Sequence, residues 1–300
     1  MAADSLPRVA PQTPSEALKR RRVRRTSHLA GRLGTHAVLV FFALVFSLPL
    51  LWMVTNAVKP NAEMFVVPPR WIPSKLLFER FPQAFSFIPF ALYTWNTFYI
   101  STYNVIATVI SCTVVAYGFA RLEWKGRDAV FALVIATMML PYQVTLIPQY
   151  IIFSRLKWVG TFLPLTFPAW FATPFFIFLM RQFFMTIPAE LTDAARIDGA
   201  NDLGILVRIF VPLSRPALAT MAVFTFMWNW NDFFWPLIYL TNQKQFTLSL
   251  GLYNFVGFVA RTDWGLLMAA STMMTIPPVI LFFFAQRSFI EGISLTGIKG

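Results

Sequence analysis

Along this 300-residue chain the apolar side chains come in long unbroken runs, not in the alternation of a half-buried strand or the one-sided stripe of a soluble helix. Six windows are long enough to cross a bilayer: residues 36–58, 92–120, 129–152, 162–180, 217–240 and 264–285. Each is near or above the roughly 20 apolar residues that a helical span needs. None holds a Lys or Arg, and Asp232 is the only acidic residue within them. Continuous apolarity favours helices over barrel strands, whose lipid-facing and lumen-facing residues alternate. The pattern therefore predicts an all-α integral membrane protein with six transmembrane helices. Pro49, Pro141, Pro148, Pro168 and Pro174 lie inside spans and predict kinks or local unwinding, with the third window breaking near Pro141 or Pro148.

Composition agrees with this class. Hydrophobic residues make up 57% of the chain and charged residues 13%, against about 25% charged in an ordinary soluble domain. Residues 1–35 stand apart as a basic tail with Pro7, Pro11 and Pro14 and few apolar side chains, the composition of a mobile segment. The tail is too long and too basic for a signal peptide's leading region, and the apolar run after it exceeds a signal core, so it reads as an uncleaved anchor. The net charge of +12 raises the question of nucleic acid. The densest cluster, Lys19 to Arg25, borders the first span, where a topology signal or contact with anionic lipid accounts for it and no nucleic-acid partner is expected.

Charge also sets the orientation, because Lys- and Arg-rich loops stay on the cytoplasmic side. With the N-terminus inside, cytoplasmic segments hold 17 of the 25 Lys and Arg residues. Six spans then place both termini in the cytoplasm. The chain divides into a tail at 1–35, a membrane domain at 36–285 with a large cytoplasmic loop at 181–216, and a C-terminal tail at 286–300.

Signatures of chemistry are missing. Cys112 is the only cysteine, which excludes an intrachain disulfide and a thiolate metal cluster, and His28 and His36 have no third ligand near them in sequence. There is no phosphate-binding loop, zinc-protease helix or nucleophile elbow. The tail at 292–299 superficially resembles a phosphate loop, but Ile298 separates its Gly from its Lys and no Ser or Thr follows. No catalytic residue, metal site or bound cofactor is expected, so energy for active transport must come from another subunit or an ion gradient.

The polar island at 188–216 is the chief exception to the apolar pattern. Pro188 suits the first turn of a helix, and Glu190 and Asp193 favour its positive end. Gly199 suits a helix terminator, and Asn201 or Asp202 can cap a second short helix carrying Leu203, Leu206, Val207, Ile209 and Phe210. By itself such a segment also fits a solvated amphipathic connector.

The run Glu190-Leu191-Thr192-Asp193-Ala194-Ala195-Arg196-Ile197-Asp198-Gly199-Ala200, followed by Ile209 and Pro212-Leu213, resembles the EAA loop of ABC importer permeases. Asp193 stands for the pattern's Glu and Val211 for its Leu, and Leu206 stands where an aromatic is common. The resemblance extends from about His36 to the end and points to MalG-like carbohydrate permeases. It is carried also by Lys59-Pro60, Trp71-Ile72-Pro73, Trp228-Asn229-Trp230-Asn231-Asp232 and the tail from Gln286 to Gly292.

That family implies a type I ABC importer permease architecture in a bacterial or archaeal inner or plasma membrane. Its EAA loop is a coupling helix seated on a cytoplasmic ATPase, which makes Glu190, Asp193, Ala194, Ala195, Asp198, Gly199 and Ala200 interface residues. The implied partners are a second, MalF-like permease, a homodimer of ATPase subunits holding ATP and Mg, and an extracytoplasmic sugar-binding protein.

Asn229, Trp230, Asn231 and Asp232 are candidates for the substrate pathway, because intramembrane polar groups usually face a bundle interior or a water-filled cavity. Interspan packing explains them equally, and it is the favoured role for Asn96, Ser101, Thr102, Asn104 and Thr108 and for Gln143 and Gln149. A permease for a non-sugar solute is the nearest alternative function. A secondary transporter is further off, with Asp232 the sole ionisable group in the spans.

Overall fold

The computed structural model describes residues 14–256 and 262–297. The chain falls into two units, residues 1–55 and 56–300. The first unit is helical from Pro14. Its helix, α1, runs Pro14–Ala57 and takes in residues 14–35 of the basic segment. Ala17, Leu18 and the Lys and Arg side chains after them are good helix formers, and a Pro at the first helical position costs nothing.

The second unit is built on α3. After the short α2 (Arg80–Phe87), α3 (Phe90–Arg121) runs for 32 residues. Next come α4 (Arg127–Ala136) and α5 (Tyr142–Arg155), which correspond to the third apolar window. The chain bends by 97° between them, and the bend falls at Pro141, as the sequence predicts. The fourth window is also interrupted: α6 (Leu163–Thr166) passes into a 3-10 segment, Phe167–Phe171, before α7 (Pro174–Thr186) starts on Pro174. The polar island supplies α8 (Ala189–Ile197), α9 (Asp202–Ile205) and α10 (Val211–Leu213). Then follow α11 (Arg215–Trp230), α12 (Phe234–Tyr239), α13 (Leu248–Leu252) and α14 (Trp264–Gly297).

Among the described residues, four helical segments are long and apolar enough to cross a membrane: Gly31–Ala57, Phe90–Arg121, Leu163–Thr186 and Trp264–Gln286. Two bent pairs raise the number to six if each is one span, namely Arg127–Met139 with Tyr142–Arg155, and Asp202–Leu213 with Arg215–Trp230. The fifth window, 217–240, is not one helix. It stops at Trp230, where Asn229 and Asn231 turn their amides back onto the Thr225 and Met227 carbonyls (2.7 and 2.8 Å). Asp232 then accepts the Trp235 N–H at 3.3 Å, and the chain restarts as α12.

Breaks inside apolar segments leave backbone groups that lipid cannot satisfy. Polar side chains of α3 satisfy them. Asn104 Nδ2 donates to the Leu165 carbonyl at 2.8 Å, and Ser111 Oγ donates to Ala169 at 3.0 Å. Cys112 Sγ accepts from the Thr173 N–H at 3.2 Å. Nearer the start of α3, Asn96 Nδ2 reaches the Lys244 and Phe246 carbonyls (2.9 and 3.0 Å), and Thr97 Oγ1 takes the Leu248 N–H at 2.7 Å. Asn96 thus bonds main-chain carbonyls of the 244–246 turn, while Asn104 joins a main-chain carbonyl to the side chain of Asn229.

Among the described residues, two apolar clusters lie along the bundle. One joins Cys112, Ala116 and Tyr117 of α3 to Phe176, Met180 and Phe184 of α7 and to Ile205 and Phe210 of the island. The other joins Tyr93 to Trp230, Leu248, Ala269 and Ala270.

Candidate functional site

The island folds as a helix–turn–helix with its caps in place. Pro188 precedes the first turn of α8. At the other end Asp198 is the C-cap and Gly199 has φ +82°, the left-handed conformation that glycine adopts without a Cβ penalty. The Gly199 N–H bonds the Arg196 carbonyl and the Ala200 N–H bonds the Ala195 carbonyl (3.0 and 2.9 Å), the paired bonds of a Schellman motif. Asn201 caps α9 by accepting the Gly204 N–H at 2.8 Å. A π-helical turn, Leu206–Phe210, then leads to α10.

The motif residues divide between two faces. Glu190, Asp193, Ala194, Asp198 and Gly199 are exposed, beside Ile197 (86% exposed) and Leu203 (66%). Ala195 and Ala200 pack against the cluster below, with Thr192 buried. Small size at 195 and 200 thus serves the seating of the island. At 194 and 199 it keeps the outer face low.

Tyr117 and Arg121, one turn apart on α3, hold the island in place. The Arg121 guanidinium donates to the Phe184 carbonyl at 2.6 Å and to the Ile187 carbonyl, and it lies 5.0 Å from the centre of the Phe210 ring. One side chain thus grips the chain where it enters the island and where it leaves. Tyr117 packs edge-on against Phe210 (5.1 Å), and its hydroxyl lies 3.5 Å from the Asp202 carboxylate, which pairs with Arg196 at 3.1 Å. Sequence reasoning missed both residues. Arg121 reads there only as a loop charge, because its partners lie 63 and 66 positions away.

A cavity of about 720 Å³ lies between α3, α5, α7, α11 and α12. Asn229 and Asp232 line it together with Asn104, Gln149 and the rings of Trp228 and Trp235. The Asn104 and Asn229 amides are hydrogen-bonded to each other. Trp230 and Asn231 point elsewhere, as expected for residues rotated about 100° and 200° from Asn229 on a helix. Trp230 is buried in the second cluster, with its indole N–H on the Met274 carbonyl at 3.1 Å. Asn231 faces a separate surface beside Val223 and Met227. Of the polar residues singled out in the sequence, Thr108 also lines the cavity.

A broken-helix bundle with an open cavity between its helices and an exposed helical loop is the setting for the family match, and that match makes the chain a transport permease, not an enzyme. The chain belongs to the family of binding-protein-dependent transport system inner membrane components, which it matches over residues 110–295. It is thus an integral inner-membrane protein of the carbohydrate-importer permease type. The arabinooligosaccharides transport system permease protein AraQ of Halalkalibacterium halodurans is 34% identical over 265 residues, covering 87% of this chain and 94% of that relative. The sn-glycerol-3-phosphate transport system permease protein UgpE of Yersinia enterocolitica is 30% identical over 265 residues, covering 86% and 94%. Among solved structures, a bacterial ABC transporter involved in the import of the acidic polysaccharide alginate has the same fold, with a TM-score of 0.75 at 23% identity, over 88% of this chain and 97% of that one.

Proposed function

We propose that this chain is one permease subunit of an ATP-driven, binding-protein-dependent sugar importer, supplying half of the translocation pathway. A second, MalF-like permease supplies the other half, a homodimer of ATPase subunits lies beneath, and a sugar-binding protein delivers solute from outside. ATP and Mg reside on the ATPase subunits, and both termini of this chain lie in the cytoplasm. The reading is carried by the island: the motif's acidic residues, Ala194 and Gly199 face outward from a rigid, capped knob that side chains of α3 hold at both ends.

Closure of the ATPase pair moves the knob as a body. Through Arg121 and Tyr117 that motion passes to α3, whose polar face holds the walls of the cavity. Asn229 and Asp232 are the solute-facing members of the pathway. A non-sugar solute is the second reading, favoured by the likeness to a permease named for glycerol 3-phosphate.

The test is co-purification of the ATPase with this chain, together with solute uptake, in the parent and in Gly199→Arg. A bulky cation on the outer face is expected to abolish both. Retention of both in the variant would remove the docking role of the loop.

A further inference from the structure

The cavity walls carry a one-sided set of charges. No Lys, Arg or His is among the described residues that line it, and Asp232 supplies the only carboxylate. Asp232 is in no ion pair among the described residues, so its charge is not cancelled locally. What remains is uncharged: amides at Asn229 and Gln149, hydroxyls at Thr137 and Thr145, and ring surfaces at Tyr142, Trp228 and Trp235. Amides and hydroxyls bond sugar hydroxyls, and a flat ring covers the apolar face of a pyranose. The volume of about 720 Å³ falls within the range of sites for small organic solutes.

We infer that this cavity is charge-selective, admitting uncharged polyhydroxylated solutes and rejecting phosphorylated or carboxylated ones, with the Asp232 carboxylate as the filter. The inference rests on the permease reading and narrows its substrate class. An anion entering would meet the Asp232 carboxylate with no cation on these walls to offset the repulsion. A neutral solute pays no such penalty. Rejection by an unfavourable element is an effective route to specificity, because a neutral glycan and its anionic analogue share most of their hydroxyl contacts.

The test uses the importer assembled from the full chain with its permease and ATPase partners in lipid nanodiscs. Thr145→Cys places a reactive thiol on the cavity wall, and Cys112, fully buried, is the native background measured in the parent. Modification rates are measured with neutral 2-hydroxyethyl methanethiosulfonate and anionic 2-sulfonatoethyl methanethiosulfonate, each divided by its rate with free 2-mercaptoethanol. The neutral reagent is expected to react faster by about tenfold or more, and adding Asp232→Asn is expected to bring the two rates within about twofold.

Equal rates without Asp232→Asn would overturn the filter, as would a difference that persists with it. Failure of both reagents to react would show that the cavity is closed to solutes. Co-elution of the ATPase from the same preparation reports on the permease reading separately. Its absence would break that reading and the inference with it.

Discussion

The Arg80 guanidinium occupies the space that a side chain on Gly265 would need: a β-carbon there would stand 1.3 Å from Nη1. Arg80 also donates to Asn61 at 2.8 Å, and Asn61 donates to Asp263 at 3.2 Å. Asp263 in turn accepts the Gly265 and Leu266 N–H groups (3.1 and 3.2 Å), closing a clasp between α2, the loop after α1 and the start of α14. Gly265→Ala is expected to destabilise the protein by about 1–3 kcal/mol, the usual cost of overpacking. The thermal midpoint in detergent measures it. Because the clash is with Arg80, the double variant Gly265→Ala/Arg80→Gln should lose less than the two single losses added together.

Arg121→Gln should loosen the island while leaving the helices formed. The variant loses charge-assisted bonds to two main-chain carbonyls and the contact with Phe210, of which each hydrogen bond is worth about 1.5–3 kcal/mol. Limited proteolysis should cut within 188–216 faster than in the parent, and ATP-driven uptake should fall further than ATP hydrolysis does. Arg121→Lys should recover only part of this, since an ammonium cannot reproduce the planar fork. Unchanged cleavage and uptake in Arg121→Gln would show that the grip on the island is unimportant.

At Gly199 the backbone, not the space around it, sets the cost. Its φ is +82°, yet nothing lies within 4 Å of a β-carbon built there. Substitution should therefore destabilise in the order Asn, Ala, Val, with Ala costing about 1 kcal/mol through the left-handed conformation. Thermal midpoints give the order. A flat series would mean that the turn relaxes to another conformation.

Glu63 predicts a pH effect outside the spans. The hydroxyl and the N–H of Ser74 both donate to its carboxylate, and Arg70 lies 3.9 Å away, so its pKa is held below the usual glutamate range. A group with a lowered folded pKa stabilises fully above its unfolded value, about 4.3, and the gain is lost as pH falls through the folded one. The midpoint difference between the parent and Glu63→Gln should therefore be constant from pH 7 to about 5.5 and vanish in stronger acid. A difference that grew on acidification would contradict the assignment.

Most of the architecture is legible from one dimension because lipid demands long apolar helices, and local signals such as Gly199 and Asn201 mark turns wherever they occur. The break at Pro141 follows from proline itself. The break after Trp230 has no proline at the break itself; there Asn229 and Asn231 bond back to the Thr225 and Met227 carbonyls of the last turn, contacts that composition does not announce. In the candidate site, the run at 229–232 is flagged as one polar group, and only the helical rotation separates Asn229 and Asp232 from Trp230 and Asn231. The inward packing of Ala195 and Ala200 was equally hidden, since a motif records which residues are small but not which way they face.

The hydrogen bonds from α3 to the broken segments have a consequence for the cavity wall. Asn96, Asn104 and Ser111 grip carbonyl oxygens, and every residue has one of those. Side chains at 163–173 and 244–248 are therefore not specified by these bonds. The stretch of cavity wall at 163–173 can exchange side chains one at a time without losing the bonds that Asn104 and Ser111 make to its main chain, so solute contact and scaffold are separable there.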